Sequence, residues 1–165
     1  MEKKITSHVI KGLIITGILI ALDLVLQKLY APVPEAMRYM PRLVIVFLGV
    51  VTACVVYLRQ AGSTLGFGDV FAHGFRTTTV VAFLMAAFTF IAVKYIYPAP
   101  GAAEMEAAVK AIEQQGNALH EEARQQAIQA AKNRWIFYVS ISIFATLIPG
   151  LLGALLGGAL TKKNQ

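Results

Sequence analysis

The residue of this sequence best suited to proton or ion chemistry is Asp23, which lies inside a long apolar stretch. An ionisable side chain in a membrane span is costly and usually faces a partner or a cavity. We expect Asp23 to pair with Lys94, which falls late in another apolar stretch, or with Arg42. Such a pair could be a proton- or ion-coupled site or a purely structural ion pair, and both interpretations stay open.

A second set of polar side chains, Asp69, His73 and Arg76, is spaced by four and then three residues. Residues at this spacing share one face of a helix. Arg76 could donate to a lipid phosphate and His73 could titrate near neutral pH, which would make this face a site for lipid headgroups. The alternative is the ordinary polar face of a helix that lies in the membrane interface.

Small residues recur at short, regular steps in the last apolar stretch: they are Gly150, Gly153, Ala154, Gly157 and Gly158. Residues of this kind allow membrane helices to approach closely. Gly49 and Ala53 have the same four-residue spacing, and we expect them to form the surface that receives the last helix. A second protein or a second copy of the chain is the other possible partner for these small residues.

The sequence predicts no catalytic, cofactor-binding or metal-binding constellation. His8, His73 and His120 are far apart and lack neighbouring ligands at the spacing that metal sites require. Ser140 and Ser142 have no accompanying base, and no Gly-rich phosphate loop followed by Lys and Ser or Thr occurs. We therefore expect no cofactor and a protein that is not an enzyme.

Composition places these residues in a membrane. Hydrophobic residues make up 57% of the chain and charged residues 15%, whereas a soluble domain has about 45–50% and about 25%. The net charge is +6, but the basic residues cluster near the ends of apolar stretches. That distribution is typical of contacts with lipid headgroups and not of a nucleic-acid interface. We expect membrane lipids as partners and no nucleic acid.

The predicted fold class is all-α: a polytopic membrane bundle of four transmembrane helices, formed by residues 1–165 as one membrane domain. The spans are expected at about residues 9–30, 41–58, 77–97 and 135–160. Residues 67–76 are expected to form an interfacial helix before the third span, and residues 101–134 an extramembrane helix hairpin that turns at Gly116. Because the segments on the side of the termini are shorter and denser in Lys and Arg, we expect cytoplasmic termini.

Three segments resemble the domain-of-unknown-function family numbered 4199. They are MEKKITSHVIKGLIITG at the start, LGFGDVFAHGFRTT at the third span and AIEQQGNALHEEARQQAIQAAKNRW before the fourth span. The resemblance extends over essentially the whole chain. It implies a small bacterial protein with four spans in the cytoplasmic (inner) membrane, and it implies no activity because none is established for the family.

These features favour a non-enzymatic membrane protein that acts through association. It would be an accessory or scaffold subunit, or a homo-oligomer, with the extramembrane hairpin as its docking element for a protein partner. One alternative is a small oligomeric transporter or channel that uses Asp23. Another is a lipid-binding or lipid-modifying membrane protein. A docking protein should tolerate Asp23→Asn but not Gly153→Leu, whereas a transporter should lose activity with Asp23→Asn.

Overall fold

The computed structural model describes residues 6–29, 35–62, 65–96, 106–107, 110–111, 114 and 120–163, and this part of the chain is almost entirely helical. The helices are α1 (His8–Leu29), α2 (Glu35–Ala61), α3 (Phe67–Ile91), α4 (His120–Lys132) and α5 (Arg134–Ala159). A π-helical turn, Ala92–Ile96, continues α3, and a 3-10 turn, Leu160–Lys163, follows α5. No strand occurs among the described residues, and the predicted all-α class is confirmed.

Four of the described helices are long and apolar enough to cross a membrane. The corresponding segments are His8–Leu26, Met40–Ala61, Phe67–Ile96 and Trp135–Ala159. A hydrocarbon core of about 30 Å requires about 20 residues of helix, which each segment supplies or approaches. A helix also satisfies its own backbone hydrogen bonds, so even the β-branched sequence of α2 is helical here. The predicted helical membrane architecture is confirmed.

Helix α2 begins earlier than the sequence predicts. It starts at Glu35 and contains Pro41 in its interior, although the predicted second span begins only at about residue 41. Proline removes one intrahelical hydrogen bond because it has no N–H. Membrane helices tolerate such a loss where neighbouring groups satisfy the freed carbonyl. Residues 35–40 are therefore helical.

Two hydrogen bonds and one glycine conformation mark three of the helix ends. Ser7 Oγ accepts from the Ile10 N–H at 3.4 Å and caps the start of α1. Gly62, just after α2, has a φ of 92°, a conformation that glycine adopts readily and that commonly ends a helix. The Asp69 carboxylate accepts from the Gly66 N–H at 3.0 Å, as in a capping box at the start of α3.

The chain forms two compact units. The first, here called the four-helix unit, comprises Met1–Met85 and Ser142–Gln165, and the second comprises Ala86–Ile141. The four-helix unit contains α1, α2, most of α3 and most of α5. Its largest fully buried apolar side chains come from α1, α2 and α3: they include Leu19, Val46, Val50, Val70, Val81 and Met85.

Helix α5 packs against α2 through two of its glycines. A Cβ added to Gly153 would lie 2.8 Å from the carbonyl oxygen of Phe47, and a Cβ added to Gly157 would overlap the side chain of Cys54. Only glycine permits this distance between the two backbones. Because residue numbers rise along both helices from one contact to the next, α2 and α5 run parallel.

The same helix packs against α3 through its other small residues. A Cβ added to Gly150 would overlap the side chain of Thr78, and a Cβ added to Gly158 would lie 2.9 Å from the ring of Phe67. Ala154, between these two glycines, is fully buried. The numbers rise along α5 as they fall along α3, so these helices are antiparallel. The small residues of α5 therefore pack within the chain.

The surface of α2 that receives α5 differs from the one we expected. Gly49 faces α1, since a Cβ on it would lie 3.0 Å from Ile15 Cγ1. The carbonyl oxygen of Ala53 also faces α1, because it accepts from the side chain of Lys11. Successive residues of a helix are rotated by about 100°. Gly49 and Ala53 therefore lie on the α1 side of α2, while Cys54 lies on the α5 side.

Fourteen of the 34 residues in the predicted extramembrane hairpin, residues 101–134, lie outside the described residues, and its predicted turn at Gly116 is one of them. The second arm is described and forms α4. A single turn residue, Asn133, separates α4 from α5. Its N–H donates to the Gln129 carbonyl at 3.1 Å, and its own carbonyl accepts from the Ile136 N–H at 2.9 Å. The second arm is thus joined to the last span by one residue.

Candidate functional site

A buried lysine lies at the end of the four-helix unit where α1 and α3 begin and α2 ends. Lys11 is only 7% exposed, although it belongs to the first turn of α1. Its Nζ donates to the carbonyl oxygen of Ala53 at 3.2 Å and lies 3.1 Å from Nε2 of His73. One amino group therefore connects α1, α2 and α3.

His73 is held against an aromatic ring of α2. It is 8% exposed, and its ring stacks on that of Tyr57 with the centroids 4.0 Å apart and an angle of 1° between the planes. Lys11 Nζ lies 5.5 Å from the centre of the Tyr57 ring, within the range of a cation–π contact. An ammonium donor requires an acceptor at His73 Nε2, which places the hydrogen of a neutral imidazole at Nδ1.

Further basic side chains surround this pair. The His8 ring lies edge-on to the His73 ring with the centroids 6.2 Å apart. Arg76 is exposed on α3, and its charge interacts with His73. No carboxylate of the described residues lies within the 4.0 Å salt-bridge distance of Lys11. We call His8, Lys11, His73 and Arg76 the basic cluster.

Two hydrogen bonds close the same end of the four-helix unit. The Thr6 N–H donates to Gln60 Oε1, and Gln60 Nε2 donates to Thr6 Oγ1, each at 2.9 Å. They connect the residues before α1 to the last turn of α2. Lys11 connects the same two helices one turn further into α1. Hydrogen bonds at two successive positions along α1 therefore hold α1 against α2 at this end of the unit.

The sequence predicts Lys11 only as one of the basic residues near the ends of apolar stretches, and it predicts no role for Tyr57. A signal for Lys11 existed, because Val9 and Ile10 precede it and Leu13 follows shortly after. A charged residue within such an apolar stretch favours a functional site. No comparable signal marks Tyr57, since its stacking on His73 depends on how α2 and α3 are aligned.

The three residues predicted to share one headgroup-binding face lie in different surroundings. Asp69 and Arg76 are exposed, whereas His73 is buried against Tyr57. The Asp69 carboxylate is also engaged by the Gly66 N–H. Arg76 is therefore the member of this set that a headgroup can reach from outside, and His73 would have to act from the packed interior. Headgroup binding itself stays a prediction.

A second polar cluster connects α2 to α5. Arg42 is 5% exposed, and its Nη2 donates to Ser142 Oγ at 2.5 Å and lies 3.4 Å from Thr146 Oγ1. Asp23 of α1 interacts electrostatically with Arg42. One of the two cations proposed as partners of Asp23 is thus close enough to act on it. A proton- or ion-coupled role for this pair stays a prediction.

The other proposed partner of Asp23, Lys94, contacts aromatic rings of the second unit. Its Nζ lies 5.1 Å from the centre of the Phe90 ring and 5.4 Å from that of the Trp135 ring. These two rings meet edge to face, with the centroids 5.3 Å apart. Trp and Lys side chains are typical of the membrane interface. We interpret this group as an interfacial anchor of the second unit.

An apolar groove runs between α2 and α5 within the four-helix unit. It has a volume of about 500 Å³, and all of its lining residues are apolar: they include Leu43, Phe47, Leu48, Phe144, Ile148 and Leu152. Both helices are membrane-spanning candidates, so the groove faces a region that lipid tails occupy in a bilayer. It has no polar side chain that could select one ligand.

These features define a small polytopic helical membrane protein with two buried polar clusters. Residues 10–163 match the family described as "Protein of unknown function (DUF4199)". Because the match covers most of the chain, the protein belongs to this family, as the resemblance of its segments predicted. No curated protein and no solved structure matches the chain.

Proposed function

We propose that this protein is a non-enzymatic accessory or scaffold subunit of the bacterial cytoplasmic (inner) membrane that binds a protein partner through α4. The observation that carries the proposal is the connection between the third and the last span. Antiparallel helices of a bundle are usually joined by about two to eight residues. Here the connection runs from residue 97 to residue 133 and contains the helix α4.

The side chains of α4 suit a polar docking surface. Those exposed include Glu121, Glu122, Gln125, Gln126 and Gln129. The two glutamates lie in the first turn of α4, where the helix dipole favours negative charge. Carboxylates and amides in this arrangement can bind the basic and polar groups of another protein. Membrane lipids would surround the spans.

The packing of α5 supports the choice of α4 over the glycines as the docking element. The glycines of α5 are already in contact with α2 and α3, so they are not available as a surface for a second chain. In this proposal the four-helix unit is the membrane anchor. Cytoplasmic termini would place α4 on the outer side of the membrane, because three spans precede it.

A photo-crosslinking residue at Gln126, in the native membrane, tests the proposal. We expect the photo-crosslinking residue that replaces Gln126 to form a discrete adduct with another protein. The matched control is the same photo-crosslinking residue in place of Phe83, which is 74% exposed in a membrane-spanning segment. This control should form adducts with lipid.

Replacing residues 101–132 by a flexible linker of equal length should leave the chain in the membrane but dissociate the complex on a native gel. An unchanged complex would contradict the proposal.

The Asp23–Arg42 interaction favours a second candidate function, a small oligomeric transporter or channel for protons or ions. Asp23 and Arg42 interact electrostatically, and acidic and basic groups inside a membrane protein commonly mark ion pathways. Proteoliposomes containing a pH-sensitive dye would report proton flux. Flux that is present in the natural protein and lost in Asp23→Asn would support this function, and an absence of flux in both would remove it.

A further inference from the structure

We propose that the basic cluster binds a phosphate-bearing anion. The site consists of His8, Lys11, His73 and Arg76 at the end of the four-helix unit where α1 and α3 begin. The inference goes beyond partner docking by α4 and does not depend on it. The ligand class is a phosphate mono- or diester, which a lipid headgroup or a free phosphate in solution could supply.

The charge balance of Lys11 supports an anion at this site. An ammonium group taken out of water needs a compensating partner, since an unpaired buried charge is strongly destabilising. No described carboxylate lies within salt-bridge distance of Lys11. The nearest acidic residue along α3, Asp69, is held by the Gly66 N–H. An anion from outside the chain would provide the missing negative charge.

The basic cluster also has hydrogen-bond donors for the oxygen atoms of an anion. An ammonium group has three N–H donors, and two of those on Lys11 are directed at Ala53 O and His73 Nε2. A third remains for an incoming oxygen atom. The guanidinium of Arg76, exposed on α3, can donate two parallel hydrogen bonds to one phosphate. The basic cluster thus combines the buried ammonium group of Lys11 with the exposed guanidinium of Arg76.

The depth of the basic cluster along the spans agrees with the position of lipid phosphates. Lys11 lies in the first turn of α1 and His73 in the second turn of α3, so both are near one boundary of the spans. Lipid phosphates lie just outside the hydrocarbon core. Basic pockets between membrane helices on the cytoplasmic side are known to receive anionic headgroups. An anion would enter past Arg76 and the half-buried His8.

The test uses the full chain, purified in mild detergent and stripped of lipid. One arm adds inorganic phosphate and follows the thermal unfolding temperature. The other arm adds phosphatidylglycerol or, for comparison, phosphatidylcholine, and follows the lipid that stays bound in native mass spectrometry. We expect an anion to bind in at least one arm. A response to phosphatidylglycerol alone identifies a lipid headgroup, and a response to phosphate as well identifies an open site for soluble anions.

Three variants decide whether the basic cluster is responsible. Lys11→Met and Arg76→Gln should each lower the affinity about tenfold, the usual effect of losing a charge-assisted hydrogen bond. Arg59→Gln is the matched control, because Arg59 is an exposed basic residue at the same end of α2 as Tyr57, and it should bind as the natural protein does. If Lys11→Met does not fold, the anion affinity of Arg76→Gln decides, because Arg76 is exposed and its replacement should not affect folding. Equal losses in Arg76→Gln and Arg59→Gln, or no anion binding at all, would overturn the proposal.

Discussion

At the scale of single residues, Gly157 shows how little space separates α2 from α5. A Cβ at this position would overlap Cys54. We expect Gly157→Ala to lower the free energy of unfolding by about 1–3 kcal/mol, the usual cost of overpacking a close contact. Thermal or SDS-induced unfolding in detergent measures this change. Introducing Cys54→Gly together with Gly157→Ala should reduce the loss, because it removes the side chain that the new methyl group meets.

Gly17 is the matched control for this prediction. It lies in α1, and apart from its chain neighbours and the backbone of its own helix nothing is within 4 Å of a Cβ built on it. The same substitution, Gly17→Ala, should therefore leave the protein as stable as before or stabilise it by about 0.5–1 kcal/mol, since alanine favours a helix. Equal stability of the two alanine variants would show that the close contact of Gly157 does not exist.

At the scale of helices, the second polar cluster predicts an energetic coupling between α1 and α2. Asp23→Asn and Arg42→Gln should each destabilise the protein, but together by less than the sum of the two changes. Residues that interact directly give coupling energies of about 0.5–3 kcal/mol. A double-mutant cycle based on unfolding in detergent measures this energy.

The same cycle distinguishes between the two cations proposed for Asp23. We expect Asp23→Asn and Lys94→Gln to have additive effects, because Lys94 is engaged with the rings of Phe90 and Trp135. Additivity is the rule for residues that share no partner. A coupling energy with Lys94 and none with Arg42 would reverse this assignment.

The alignment of neighbouring helices could not be predicted from the sequence. Hydrophobic length is a property of each segment alone, so the spans could be predicted. The start of α3 could be predicted too, because Gly66 and Asp69 are close together in the sequence. Which residue of α2 faces α5 depends on the rotation of both helices, and Gly49 and Cys54 share no local signal. The contact between Lys11 and His73 has the same origin. Each lies on its own helix, and only the packed unit brings the two together.

At the scale of the whole molecule, the number of spans determines which surfaces share a side of the membrane. One span, α3 with its π-helical turn, separates the end of α2 from α4. We expect Glu122→Cys to react with a membrane-impermeant maleimide in right-side-out vesicles, and Arg59→Cys to react only after permeabilisation. Both are introduced into a Cys54→Ala background, since Cys54 is the only native cysteine.

Phe83→Cys supplies the internal standard for this labelling experiment. Its side chain is exposed on α3 within a membrane-spanning segment, so lipid should protect it in both preparations. Labelling of positions 59 and 122 from the same side would contradict an odd number of crossings between them. Labelling with the two sides exchanged would instead place the termini outside.

The glycine contacts of α5 also determine the order in which the protein can be assembled during synthesis. Gly150, Gly153, Gly157 and Gly158 belong to α5, which is synthesised after α2 and α3, yet both of those helices need these glycines to complete their own packing. Until α5 has been synthesised, the surfaces of α2 and α3 that contact it stay uncovered in the bilayer. A nascent chain that stops before α5 would remain a substrate for membrane chaperones and proteases.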